Sequence, residues 1–325
     1  MRVAMKAVIL AGGLGTRLRP LTYTVPKALV PLCGKPLISH IVDALPPWID
    51  AVLIAVNYMR DALESYFKGL DLPREIIMVE ELEPLGTGGA LKNVGEYLDD
   101  TFVAFNGDVV SSIDLDAMMR FHVSSGGVGT IALWEVEDPS AFGVVGMGEN
   151  SRIGTFQEKP PRGQALSNLV NAGVYVFEPD ILDQIGPGNV SLERQIFPKV
   201  LDRGLFGYRF EGFWVDCGTR ENFLRAQRIL MDGGRRMMSK TKLIGDSKVI
   251  GPNYLDEVSC VDCRVGPYVS AHKGVVIGEG CDVSDSILME GAVLGPNSIV
   301  KGSIVGPGFK VGPDARVIDS VVAVQ

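Results

Sequence analysis

The sequence has no apolar run approaching the roughly 18 residues that a membrane-spanning helix needs. Met1 to Leu10 contains only a short apolar stretch, too little for a secretory leader, so the expected location is the cytoplasm. Basic residues are in deficit: 31 Lys and Arg against 39 Asp and Glu give a net charge of −8. That balance argues against a nucleic-acid-binding or anionic-membrane surface, both of which need basic patches. Local positive charge can still serve a phosphate-rich ligand. Cysteine is scarce and odd in number, with Cys33, Cys217, Cys260, Cys263 and Cys281, which is no disulfide framework. Cys260-Val-Asp-Cys263 is one CxxC, and no second CxxC or HxxxH accompanies it. A zinc site would therefore lack half its ligands, and two ordinary thiols in a β-rich segment are expected.

A hydrophobic content of 46% with 22% charged residues is the balance of a soluble globular protein, and 325 residues imply two domains. In the first two-thirds, strand-like runs (Lys6–Leu10, Ala51–Val56, Thr101–Phe105) alternate with helical stretches (Leu37–Ala44, Arg60–Phe67, Gly88–Tyr97). Short buried strands alternating with helices predict a βαβ architecture around a parallel sheet, with ligands at the carboxyl ends of the strands. Gly12-Gly13 and Asn106-Gly107-Asp108 fall at such ends. Residues 218–232 read as a helix capped by Thr219, and Gly233-Gly234-Arg235-Arg236 as its break.

Beyond about residue 245 aromatics almost vanish, and short aliphatic steps recur beside Gly-Pro or Gly-Glu pairs. Inward aliphatics follow a six-residue period at Val265, Ala271, Ile277 and Val283, and again at Val305, Val311 and Val317. This is the signature of hexapeptide repeats, whose coils bury their aliphatics only by stacking. The segment resembles the left-handed β-helices of hexapeptide-repeat proteins. The expected division is residues 1–232, a linker at 233–245, and a β-helix at 246–325.

The strongest local motif runs from Leu10 to Thr22 and contains Gly12, Gly13, Gly15 and Arg17. Glycines directly after a strand let backbone amides approach a polyphosphate, and Arg17 adds a permanently charged fork. Pro26-Lys27-Ala-Leu-Val-Pro31 supplies a second cation between prolines. A carboxylate ends Phe105-Asn-Gly-Asp108, and another sits in Phe213-Trp-Val-Asp-Cys-Gly-Thr219. Taken singly, a strand-end Asp is more often a turn former or cap.

Together, and in this order, these motifs resemble the sugar-1-phosphate nucleotidylyltransferases over residues 6 to about 230. The resemblance implies a Rossmann-like, mainly parallel α/β domain followed by the left-handed parallel β-helix. It also implies an in-line displacement that needs clamps and a metal rather than a covalent intermediate. By the same resemblance Leu10, Ala11, Gly12, Gly13, Gly15, Thr16, Arg17 and Lys27 hold the nucleotide, and Asp108 and Asp216 bind Mg²⁺. Gly143, Glu158, Lys159 and Asn171, in three further motifs, hold the sugar phosphate.

Glu81 and Gly86, in Glu80-Glu-Leu-Glu-Pro-Leu-Gly-Thr-Gly-Gly-Ala90, match the base-reading loop. Thymine and uracil suit a glutamine there. Guanine presents two adjacent donors, which suit a carboxylate. With Gly212-Phe-Trp-Val-Asp216, this makes the chain more similar to the mannose-1-phosphate guanylyltransferases than to other branches, and implies GTP and mannose 1-phosphate as substrates. A solvated Glu81 in an acidic loop is the competing reading. Three other functions stay open: a glucose-1-phosphate thymidylyl- or uridylyltransferase, a catalytically silent regulatory subunit, and a bifunctional enzyme with an acetyl-transferring β-helix. The last would need an active-site histidine, and His272 is the only one in the repeats. The β-helix is expected to be an assembly or regulatory module, its stacked faces favouring a homo-oligomer, and its deletion should alter assembly or solubility before chemistry.

Overall fold

A computed structural model of the chain describes residues 5–324. The chain divides into two compact units, one comprising residues up to Gly13 with Ile41–Trp214, the other Leu14–His40 with Val215 onward.

The first unit is a nine-stranded mixed sheet with a parallel core. Strands β1 (Met5–Leu10), β2 (Ile49–Val56), β3 (Glu75–Glu80) and β4 (Phe102–Asn106) lie in the order β4-β1-β2-β3, all parallel. Ala7 to Ile9 and Val52 to Val56 are wholly buried, as expected of central parallel strands covered on both faces. Beyond β4 come β5 (Gly129–Glu135), β6 (Gly143–Met147), β7 (Ile153–Glu158), β8 (Leu169–Phe177) and β9 (Leu205–Arg209). There β8 runs antiparallel to β4, β5 and β6, β7 antiparallel to β6, and β9 parallel to β5.

Helices α1 (Leu37–Ala44) and α2 (Arg60–Lys68) begin where the sequence reading puts them; α3 (Gly86–Asn93) begins two residues earlier and α5 (Arg220–Asp232) two residues later than expected, and α4 (Leu115–Ser125) is an additional helix that the sequence reading did not name. Thr219 caps α5, its hydroxyl accepting from the Asn222 amide at 3.2 Å. The expected continuation of α3 to Tyr97 is replaced by a separate tight turn at Gly95–Tyr97, because Gly95 opens the helix there.

In the second unit, strands from Met237 to Val322 form three parallel sheets of six, five and five strands. Ser270 pairs with Ile287 and Ile287 with Ile304, a step of 17 residues per coil. Three full hexapeptides would give 18, so one side of these coils is a residue short, while other pairings step by 16 (Asn253 with Val269) or 18 (Arg264 with Asp282). That short step explains why the sequence period falters after Val283: Leu288, Leu294 and Val300 carry the buried row across the gap to Val305. The three-sided, all-parallel stacking fits the left-handed β-helix. Its first strands, Met237–Ser239 and Lys242–Ile244, lie in the stretch read as a linker.

Cys260, Cys263 and Cys281 are buried and free, and they fill the solenoid core with the aliphatics. His272 packs its ring 5.7 Å from that of Tyr254 and contacts Ser270 Oγ at 3.1 Å. Burial holds its pKa down to about 4, so the ring is neutral at pH 7.

Since each coil is stabilised only by its neighbours, one cavity should weaken the whole stack. Leu294→Ala is expected to destabilise the solenoid by about 2–5 kcal/mol. Chemical denaturation checks this: the midpoint should fall with the transition still cooperative.

Candidate active site

The carboxyl ends of β1, β2 and β4 meet at one place in the first unit. The Ala11 amide donates to Ala55 O at 2.8 Å, and the Gly107 amide to Leu10 O at 2.9 Å. Gly107 must lack a side chain, since a Cβ there would lie 2.8 Å from Leu10 O. At Gly13 a Cβ would meet nothing within 4 Å, so the missing side chain answers to no packing within the chain itself.

Glu81 follows β3 and turns inward. Its amide donates to Val56 O and its carbonyl accepts from Asn57 Nδ2, both at 2.8 Å, which pins the backbone. The side chain is 4% exposed, far from a solvated loop acid. One carboxylate oxygen accepts from the Leu85 amide at 3.3 Å, while the other, Oε1, is buried without a hydrogen-bond partner. Burial raises the pKa of Glu81, and the Leu85 amide offsets part of the rise. Oε1 would stand 2.7 Å from a Cβ on Gly12, so the carboxylate lies directly against the glycine loop. Gly86 opens α3 with φ of 69°, and a Cβ there would lie 2.7 Å from Val190 O.

Asp108 follows Gly107 in the turn that leaves β4, and is partly exposed. Its neighbour Asn106, not singled out from sequence, has Oδ1 buried without a partner. A Cβ on Gly173 would come within 2.8 Å of Asn106 Nδ2, so β8 presses its bulge against this side chain. A strand-end asparagine beside a Gly-Asp pair was the available signal.

The antiparallel pairing of β6 and β7 sets Gly143 opposite Glu158, where a Cβ on Gly143 would lie 3.1 Å from Glu158 Oε2. Lys159 adopts a left-handed backbone, φ 47°, uncommon outside glycine, and its amide donates to Phe142 O at 2.9 Å. Its ammonium stands 3.3 Å from Glu158 Oε1. The Asn171 amide group is held by the fold: Nδ2 donates one hydrogen bond to Tyr175 Oη and Oδ1 accepts one from the Gly173 amide, both at 2.9 Å. Asn171 therefore shapes the β8 bulge, and one N–H and one oxygen lone pair of its amide remain beyond these two bonds.

In the second unit Gly15, with φ of 60°, starts the turn Thr16–Leu18. A Cβ there would lie 2.9 Å from Thr22 Cγ2 and 3.1 Å from Lys27 Cβ, so the stem of Lys27 packs over this glycine. Arg17 and Asp216 converge: Arg17 Nη2 lies 2.6 Å, and Asp216 Oδ1 2.7 Å, from the point a Cβ on Gly218 would occupy. Gly218, not singled out from sequence, also donates its amide to Asp216 Oδ1 at 2.7 Å. Cys217 is fully buried and packs as a small hydrophobe.

Two family models match the chain. The nucleotidyl transferase family model matches residues 6–233. The chain belongs to that family. The GMPPB C-terminal domain model matches residues 249–325. Mannose-1-phosphate guanylyltransferase 1 of Arabidopsis thaliana is 36% identical over 298 residues, covering 88% of this chain and 82% of the relative. The catalytic subunit beta of mannose-1-phosphate guanylyltransferase from Xenopus tropicalis is 42% identical over 240 residues, covering 71% and 66%. Among solved structures, HddC from Yersinia pseudotuberculosis complexed with GMP-PN has 26% identity and a TM-score of 0.59, covering 70% of this chain and 99% of that one. As a member of the family the protein is an enzyme, a nucleotidyltransferase, and its family generally acts with a divalent metal.

Gly12→Ala would drive a methyl group into the Glu81 carboxylate. The variant is expected to stay folded and lose about tenfold or more in nucleotide affinity. Calorimetric titration with the triphosphate checks this; unchanged affinity would detach Glu81 from the nucleotide.

Proposed function

We propose that the protein transfers GMP from GTP to mannose 1-phosphate, forming GDP-mannose and pyrophosphate. The observation that carries this reading is the unpartnered, buried Oε1 of Glu81 beside Gly12. A buried carboxylate oxygen without a donor is a costly arrangement unless a ligand supplies one. Guanine offers N1–H and N2–H₂ side by side, whereas uracil and thymine offer a single N–H flanked by acceptors that a carboxylate repels. The names of the relatives and the GMP-PN complex of HddC support the same choice.

In the reaction, a phosphate oxygen of mannose 1-phosphate attacks the α-phosphorus of GTP. The bond from that phosphorus to the oxygen bridging to the β-phosphate breaks, and that oxygen leaves with pyrophosphate. Leu10, Ala11, Gly12, Gly13, Gly15 and Thr16 line the nucleotide, and Glu81 and Gly86 set its base. Arg17 and Lys27 neutralise the phosphates, Arg17 on the leaving pyrophosphate. Gly143, Glu158, Lys159 and Asn171 orient the sugar phosphate, Glu158 accepting from hydroxyls and Lys159 holding the phosphate. Residues 1–232 thus supply every proposed substrate contact.

Asp108 and Asp216 are the proposed ligands of Mg²⁺. Among the described residues no group of three or more potential protein ligands forms a metal cage. This fits Mg²⁺, which takes one or two carboxylates and completes its shell with phosphate oxygens and water. When bound, Mg²⁺ supplies positive charge to the phosphates. No described helix is long and apolar enough to cross a membrane, which agrees with the proposed cytoplasmic location. A homo-oligomer built through the β-helix remains part of the proposal.

Pyrophosphate release with GTP, dTTP, UTP, ATP and CTP, each against mannose 1-phosphate and glucose 1-phosphate, tests the reading. GTP with mannose 1-phosphate should be preferred; preference for dTTP or UTP would overturn the role of Glu81 and favour the thymidylyl- or uridylyltransferase alternative.

Glu81→Gln is expected to lower kcat/KM for GTP about 10- to 100-fold, the loss of one charge-assisted hydrogen bond. The pKa of Glu81 is raised in the fold, so its ionisation weakens the unliganded protein as pH rises through that pKa. At neutral pH the glutamine variant should therefore melt higher than the wild type without ligand, while binding GTP less well. For the wild type, GTP affinity should fall on acidification at a higher pH than an ordinary glutamate would dictate.

Asp108→Asn should lose turnover by about two or more orders of magnitude with folding intact. Near-normal turnover would remove Asp108 from the metal site.

A further inference from the structure

Asp216 is built into the start of a helix. It ends the strand Trp214–Asp216, and its Oδ1 accepts from the Gly218 amide immediately before Thr219 caps α5. Any displacement of the first turn of α5 therefore moves this carboxylate.

α5 is fastened along its length to one corner of the solenoid. Gln227, fully buried, donates from Nε2 to Tyr268 O at 2.9 Å and to Ser286 O at 3.4 Å. Arg228 grips Asp285 with two nitrogens, Nε to Oδ1 at 2.7 Å. The Tyr268 hydroxyl donates to Asp232 Oδ1 at 3.0 Å, and Arg220 Nη2 lies 3.6 Å from Asp319.

Three of the solenoid partners, Tyr268, Asp285 and Asp319, are one position repeated. Tyr268, Asp285, Gly302 and Asp319 stand 17 residues apart, and all four have left-handed backbones, with φ of 59°, 48°, 56° and 48°. The spacing along the helix is comparable to that of the coils. Arg220 and Arg228 are about 12 Å apart along the helix axis, and Asp319 and Asp285 are two coils, about 9.5 Å, apart. The helix thus contacts this corner at three of its four positions.

The segment carrying Arg17 and Lys27 is held by the same body. Gly34, with φ of 85°, fits against the second coil so closely that a Cβ would lie 2.1 Å from Tyr254 Oη. Cys33 Sγ reaches the Gln227 carbonyl at 3.7 Å. At the other end of this segment Arg17 meets Asp216 over Gly218.

We propose that the β-helix is a positioning element of the catalytic site: its corner ladder, gripping α5 through Gln227 and the Arg228–Asp285 pair, fixes where Asp216 and Arg17 stand. The inference rests on the roles of Asp216 and Arg17 given under the proposed function. It replaces the expectation from sequence that the repeats affect assembly before chemistry. Arg228 and Asp285 touch no substrate in this account and act only through α5.

The test is a charge exchange in the full-length chain, read by steady-state pyrophosphate release. Arg228→Asp and Asp285→Arg should each lower kcat about tenfold, as expected when a charged group near the reaction is displaced by a fraction of an ångström. KM for the triphosphate should stay within about twofold, and circular dichroism and oligomeric state should not change. The double exchange should restore kcat to within about twofold of wild type, and Arg228→Lys should fall between. Folded single variants that turn over normally would overturn the proposal, and so would a double exchange that restores nothing. If a single exchange fails to fold, Arg228→Ala removes the pair without opposing like charges, and the same outcomes apply. A wild-type protein that releases no pyrophosphate with any substrate pair would take down the proposed function and this inference with it. An active wild type with indifferent variants would overturn the inference alone.

Discussion

A carboxylate removed from water at the carboxyl ends of a parallel sheet is the constraint on which the nucleotide end of this protein depends. Glu81 can be buried there because its backbone is anchored to Val56 and Asn57 and one of its oxygens takes the Leu85 amide. The remaining oxygen is buried without a hydrogen-bond partner, the need that the proposed function fills with ligand donors. Gly12 is the counterpart of that arrangement. Its missing side chain makes room for the carboxylate, and at the next residue, Gly13, a side chain would meet nothing within 4 Å.

The same logic of close approach recurs where charge has to be concentrated. Gly15 lets Lys27 lie over the phosphate-loop turn, and Gly218 lets Arg17 and Asp216 come together. At Gly15 a methyl group would collide with Thr22 and the stem of Lys27, and at Gly218 with the charged ends of Arg17 and Asp216. An enzyme that joins two anions needs opposite charge preorganised before either arrives, and the reaction then proceeds without reorganising its surroundings.

The solenoid supplies a different kind of order. A helix anchored only at its ends would leave the first turn free to fray. Here α5 meets a ladder whose repeat is set by β-sheet spacing, so its contacts are distributed over several coils. Individually the exposed ion pairs contribute little. Held on a buried Gln227 and a stacked core, they act together in fixing an orientation.

Much of the local chemistry was legible in the sequence. The βαβ alternation, the Thr219 cap and the six-residue aliphatic period follow from periodicity and capping, which depend on neighbours in the chain. The glycine loop, Asp108, Glu158-Lys159 and Asp216 stood out through motifs in a fixed order. The tertiary structure decided what periodicity does not encode. It set the 17-residue coil, because stacking tolerates one short side where Val283 steps to Leu288. It turned the Asn171 amide inward onto Gly173 and Tyr175, a contact made across a bulge. It distinguished a buried Glu81 from a solvated one, since burial is a property of what packs around a residue. It also tied α5 to residues 268, 285 and 319, because contacts between segments far apart in sequence carry no period that a linear reading can detect.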